Sequence, residues 1–103
     1  MLPKTGRFYV HGTSPKILVT NTEDSLLHVQ LWQTHDNEDG TAENTNVYFS
    51  FDKETCTLSK GTPLPEGGTI IRFILPPGQS IYGVSDDQGR GGWIAQKVAV
   101  GRG

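Results

Sequence analysis

Residues 26–33 read LLHVQLWQ, with Leu27, Val29 and Leu31 at every second place and His28, Gln30 and Trp32 between them. A β-strand turns successive side chains to opposite faces, so this spacing predicts a strand with one buried face and one open face. A helix is the competing reading, because residues 16–39 contain no Gly or Pro and Leu27 and Leu31 stand four apart. The stretch is nonetheless rich in Thr, Val and Asn, and residues 21–25 (NTEDS) suit a turn better than a helix interior.

The same signature recurs on both sides. Residues 7–11 (RFYVH), Lys16–Thr20 (KILVT), Ser80–Ser85 (SIYGVS) and 92–100 (GWIAQKVAV) are short runs rich in β-branched and aromatic residues. In residues 46–51, Val47, Phe49 and Phe51 alternate with Tyr48 and Ser50; in residues 69–75, Ile71, Phe73 and Leu75 stand opposite Ile70, Arg72 and Ile74. The 13 Gly and 6 Pro fall mainly between these runs. Pro76-Pro77-Gly78 has the Pro and Gly order of a type II turn. Residues 63–68 (PLPEGG) form a stiff extended segment suited to wrapping a sheet edge. Seven short strands with no convincing helix predict an all-β fold: a small antiparallel β-sandwich or a partly closed, jelly-roll-like β-barrel.

The chain has 103 residues, enough for one modest core, and is read as a single β domain over 1–103. Residues 1–6 (MLPKTG) are a candidate extended N-terminal arm. Nine Lys and Arg stand against eleven Asp and Glu, a formal charge of −2 that argues against a general nucleic-acid binder. No apolar run approaches the roughly 18–20 residues of a spanning helix, so no membrane is expected. The start Met1-Leu2-Pro3-Lys4 has no signal-peptide stretch. One Cys leaves no internal disulfide framework and no Cys-based zinc site, which fits synthesis in a reducing cytoplasm.

Two stretches read as long loops. Residues 34–45 (THDNEDGTAENT) carry Asp36, Glu38, Asp39 and Glu43 with no Lys or Arg, and residues 86–92 (DDQGRGG) run from acidic to Gly-rich around Arg90. Neither has apolar side chains to pin it, so both are expected to be mobile, as solvated tips or as segments that order against a partner.

Reactive chemistry is sparse. His11, His28 and His35 lack the spacing of a metal or catalytic pair, and no nucleophile elbow occurs. Counting from Asp36, Gly40 falls at the fifth place of an EF-hand loop, where an oxygen ligand is needed; a different calcium site using Asp36 and Asp39 remains the alternative. Residues 89–92 (GRGG) match one unit of an RNA-binding Arg-Gly-Gly tract, but such tracts act by multiplicity, and a glycine hairpin around Arg90 is the simpler reading. No phosphate-binding loop is present. Cys56 reads as a small, partly buried thiol. The expectation is a protein with no enzymatic activity, no cofactor and no metal. Trp32, Tyr48 and Trp93 fall opposite the expected core positions or at a strand start, so they serve as core, as a protein interface or as a sugar-stacking platform.

Three pieces of the chain follow a recurring plan: residues 17–33 (ILVTNTEDSLLHVQLWQ), 75–85 (LPPGQSIYGVS) and 92–100. A strand ends in Asn, a polar turn leads to a second strand, and later come Pro-Gly-x-x-x-Tyr, a Gly-rich break and a last strand. This resembles the small β-sandwich virion proteins of tailed bacteriophages, in particular capsid decoration (head-stabilising, or cement) proteins. The resemblance implies a structural virion protein on the capsid exterior, bridging major capsid protein subunits, often as a homotrimer. Since aromatic residues and Arg are enriched at interface cores, the expected contacts are Leu2, Arg7, Phe8, Tyr9, Trp32, Trp93 and Arg102. The acidic residues 34–45 have no counterpart in that plan. Other readings are a phage tail, baseplate or head-fibre component, or a carbohydrate-binding β-sandwich module.

Overall fold

A computed structural model describes residues 4–34, 47–65, 69–86 and 88–98. It contains eight strands: β1 Lys4–His11, β2 Lys16–Thr20, β3 Leu27–Thr34, β4 Val47–Ser50, β5 Thr62–Pro63, β6 Ile71–Leu75, β7 Ser80–Ser85 and β8 Gln88–Lys97. The described part of the rival helical stretch holds β2 and β3, and the burial along β3 alternates as its sequence predicts.

Two four-stranded antiparallel sheets face each other as an open sandwich, not closed into a barrel. The first has the order β1-β8-β3-β6 and the second β2-β7-β4-β5. First pairs with last, second with seventh, third with sixth and fourth with fifth, the nesting of one long hairpin rolled on itself. This is jelly-roll topology. It sets β1 and β8, the first and last described strands, side by side.

The core lies between the sheets. Phe8, Val10, Leu27, Val29, Leu31, Leu75 and Ala95 come from the first; Leu18, Val19, Val47, Phe49 and Ile81 come from the second. A register shift between Ile17 and Val19 lets the consecutive residues Leu18 and Val19 both bury, where a regular pleat would expose one of them. The sheets are tied by the Val47 N–H, which donates to the buried Gln33 Oε1 at 2.7 Å. Nearby, Gly89 sits against Val47 with no room for a Cβ.

The turn at Pro76-Pro77-Gly78 forms as its residues demand. Gly78 has φ +77°, and the Gln79 N–H donates to the Pro76 carbonyl at 3.2 Å. Asn21 holds this turn against the β2–β3 connection. Its Nδ2 donates to the carbonyls of Ser25 and Leu75, each at 2.8 Å, while its Oδ1 accepts from the Glu23 N–H at 2.9 Å.

Three expectations are corrected. Residues 88–92 are not a loop: they are the first half of β8, paired with β1 throughout and with β3 from Arg90 onward. Lys4, Thr5 and Gly6 are not a free arm, since they pair with Ala95, Ile94 and Trp93; Met1 to Pro3 lie outside the described residues. Phe51 leaves the core phase because β4 ends at Ser50, and it is exposed. The segment expected at a sheet edge does begin at one, since Thr62 and Pro63 form the edge strand β5, held to β4; residues 66–68 lie outside the described residues. Residues 35–46, with the acidic run and the candidate calcium ligands, lie outside the described residues.

Candidate functional site: the outer face of the first sheet

In an antiparallel ladder, residues directly opposite share a face, so the register sorts every side chain of the first sheet. Its outer face consists of rows running across the strands. One row is Arg7, Gly92 and Trp32; the next is Tyr9, Arg90 and Thr34. On the other side come Thr5, Ile94, Gln30 and Arg72, then Gln96, His28 and Ile74.

Glycine makes this face flat. A Cβ on Gly92 would meet Trp32 Cζ2 at 2.5 Å, so the indole lies directly against the strand. Beside it, Tyr9 is fixed from several directions while staying 40% exposed. Its hydroxyl donates to Gln88 Oε1 at 2.7 Å, its ring stacks on His11 at 6.3 Å between centroids, and the Arg90 guanidinium lies 5.7 Å from the ring centroid. That last geometry is a cation–π contact.

The electrostatics are one-sided. The four strands of the first sheet carry Lys4, Arg7, Arg72, Arg90 and Lys97 and no Asp or Glu, whereas the second sheet carries only Lys16. The described carboxylates, Glu23, Asp24, Asp52, Glu54 and Asp86, all sit in connections. Glu23 pairs with Lys4 at 3.0 Å, at the end of the sheet; among the described residues neither Arg7 nor Arg72 has a carboxylate partner. Lys4 and Lys97 share the phase of the core residues Ala95 and Leu27, so the outer face itself carries Arg7, Arg72 and Arg90 beside its aromatic residues, in a chain of net charge −2.

Of the residues expected to make contacts, Arg7, Tyr9 and Trp32 come together here. Phe8 does not: it points inward, is 6% exposed and belongs to the core. Trp93 is opposite Leu31, on the inner face; it packs against the core and covers Gly6. Leu2 and Arg102 lie outside the described residues. Tyr48 occupies the outer side of the second sheet, in register with Val84. Trp32, Tyr48 and Trp93 thus occupy three separate surfaces and form no common platform. Arg90, Gln88 and Arg72 belong to the face but escape a reading of residue type, because their place depends on long-range pairing. The alternation of Arg90 with Gly89 and Gly91 is the local signal of its strand phase.

Elsewhere the surface offers little chemistry. Among the described residues no group of three His, Cys, Asp or Glu is placed to hold a metal ion, and no helix is long and apolar enough to cross a membrane. Cys56 is fully buried, with Sγ 4.0 Å from the Tyr48 carbonyl, and burial raises its thiol pKa above the ordinary value. Comparison with known proteins gives no match to a family model, to a curated protein or to a solved structure.

Proposed function

We propose that the protein is a non-enzymatic assembly component that docks through the outer face of its first sheet onto a carboxylate-bearing protein surface. In the form its sequence plan suggests, that surface is the exterior of a tailed-phage capsid, where the protein bridges major capsid protein subunits and stabilises the shell.

One observation carries this reading: Arg7, Arg72 and Arg90 share a face with Tyr9 and Trp32, and that sheet has no carboxylate. Flat β faces do not enclose small substrates, whereas Arg, Tyr and Trp are the residues that anchor protein interfaces. A face whose strands carry Arg and no carboxylate also steers an acidic partner and rejects a basic one. Jelly rolls are used by viral capsid and lectin domains, which supports the reading by analogy of fold alone.

The mechanism is additive. A standard interface hides about 800 Å² on each partner, and copies repeated over a symmetric shell need only moderate individual affinity to hold it. Co-sedimentation of purified protein with capsids assembled without it tests the proposal. Binding that weakens as salt is raised supports docking through this face, and no binding at low salt removes it.

A further inference from the structure

A sandwich has four sheet edges, and three of them here are blunted. The β1 edge carries Lys4 and Arg7, and its Tyr9 carbonyl is occupied by Lys16 Nζ at 2.8 Å. The β2 edge is broken by the shift at Ile17 and Val19, and β5 is two residues long and ends in Pro63. Charges, bulges, Pro and short length are the usual devices that stop strand edges from pairing.

The fourth edge, β6, has none of these apart from Arg72. It is five regular residues, IRFIL, paired with β3 on one side, and among the described residues no strand pairs with its other side. Its neighbourhood is unusually apolar for a surface: Ile70 is 42% and Ile74 49% exposed. The 46% exposed Phe51 packs edge-on against Phe73, 5.3 Å between centroids.

We infer that the β6 edge is a self-association site that pairs antiparallel with β6 of a second copy about a two-fold axis at Phe73. The register follows from the sequence. Paired residues must share a face, so the axis passes through Arg72, Phe73 or Ile74 and not between them. An axis at Arg72 sets two guanidinium groups opposite each other, and an axis at Ile74 places Pro76 opposite Arg72 at the end of the ladder. An axis at Phe73 uses all five residues: Phe73 faces its own copy, Ile71 faces Leu75, and Arg72 faces Ile74.

The result is a continuous eight-stranded sheet with a closed two-fold symmetry, in place of the threefold arrangement that the sequence plan suggests. The axis is perpendicular to the sheet, so both cationic faces point the same way and one partner surface meets two sets of Arg7, Arg72 and Arg90. The pairing stands independently of the docking reading.

Analytical ultracentrifugation and light scattering of the full chain test it. A lone strand pair is a small interface, so dimer is expected near about 100 μM and monomer near about 1 μM. Ile74→Lys puts a cation opposite Arg72 of the other copy, whereas Ile74→Glu puts an anion there, at a position exposed enough to accept either. The Glu variant is expected to dimerise at least about tenfold more tightly than the Lys variant, and Arg72→Glu combined with Ile74→Lys restores dimerisation. A wild-type chain that stays monomeric at every concentration, a trimer, or Lys and Glu variants that behave alike overturns the inference.

Discussion

The indole of Trp32 lies against Gly92, the residue opposite it across the β3–β8 ladder, at a distance that leaves no space for a side chain. The Gly-rich first half of β8 is thus a set of seats for rings: Gly91 faces Phe8 on the inner side, as Gly92 faces Trp32 on the outer. Gly92→Ala is expected to force the indole away and cost about 1–3 kcal/mol. Thermal unfolding checks it, with a fall of roughly 4–8 °C per kcal/mol for a domain this size. The Trp emission of the folded variant is expected to shift to longer wavelength.

Asn21 is 1% exposed and satisfies three backbone groups, the carbonyls of Ser25 and Leu75 and the N–H of Glu23. Asn21→Ala leaves those groups without their partner, at a cost of about 2–4 kcal/mol measured by urea denaturation. Asn21→Asp sets an acceptor-only carboxylate against the Ser25 and Leu75 carbonyls, so it is expected to be at least as destabilising as Ala at neutral pH and to recover part of the loss as acidification protonates it and restores one donor.

Cys56 supplies a pH dependence. Burial is the larger cause of its raised pKa, and a backbone hydrogen bond from Ser50 opposes it. In the unfolded chain the thiol ionises near its ordinary value of 9.0, while in the folded chain it keeps its proton to higher pH. The folded state then binds more protons, so this contribution is intact below that pH and is lost as pH rises beyond it. Denaturation midpoints of wild type and Cys56→Ala are expected to converge as pH is raised above about 9. A thiol reagent is expected to label Cys56 slowly in the native protein and quickly in denaturant.

Much of the framework was legible in local pattern. The alternation in residues 26–33 marks β3 and its buried side, and Pro76-Pro77-Gly78 marks a turn that forms as read. What escaped depends on partners distant in sequence. Residues 88–92 look like a flexible tip because Gly usually weakens a strand, and only the rings of Phe8 and Trp32 make Gly the fitting residue there. A boundary set at Gly92 also hid the phase of β8, which puts Trp93 inside and Arg90 outside. β5 was missed because two residues ending in Pro carry no alternation. The outer face was legible in part: Arg7, Tyr9 and Trp32 are recognisable by type, whereas the membership of β1, β8, β3 and β6 in one sheet whose strands carry no Asp or Glu emerges only from their long-range pairing.

Reversing the charge of the outer face tests docking most directly. Arg7 and Arg72 are exposed and sit on strands at opposite edges of the first sheet, so Arg7→Glu and Arg72→Glu are expected to leave the fold intact. In low-salt co-sedimentation with capsids assembled without the protein, wild type is expected to bind, and the double variant to bind at least about a hundredfold more weakly. Binding by the double variant equal to that of wild type would contradict docking through this face.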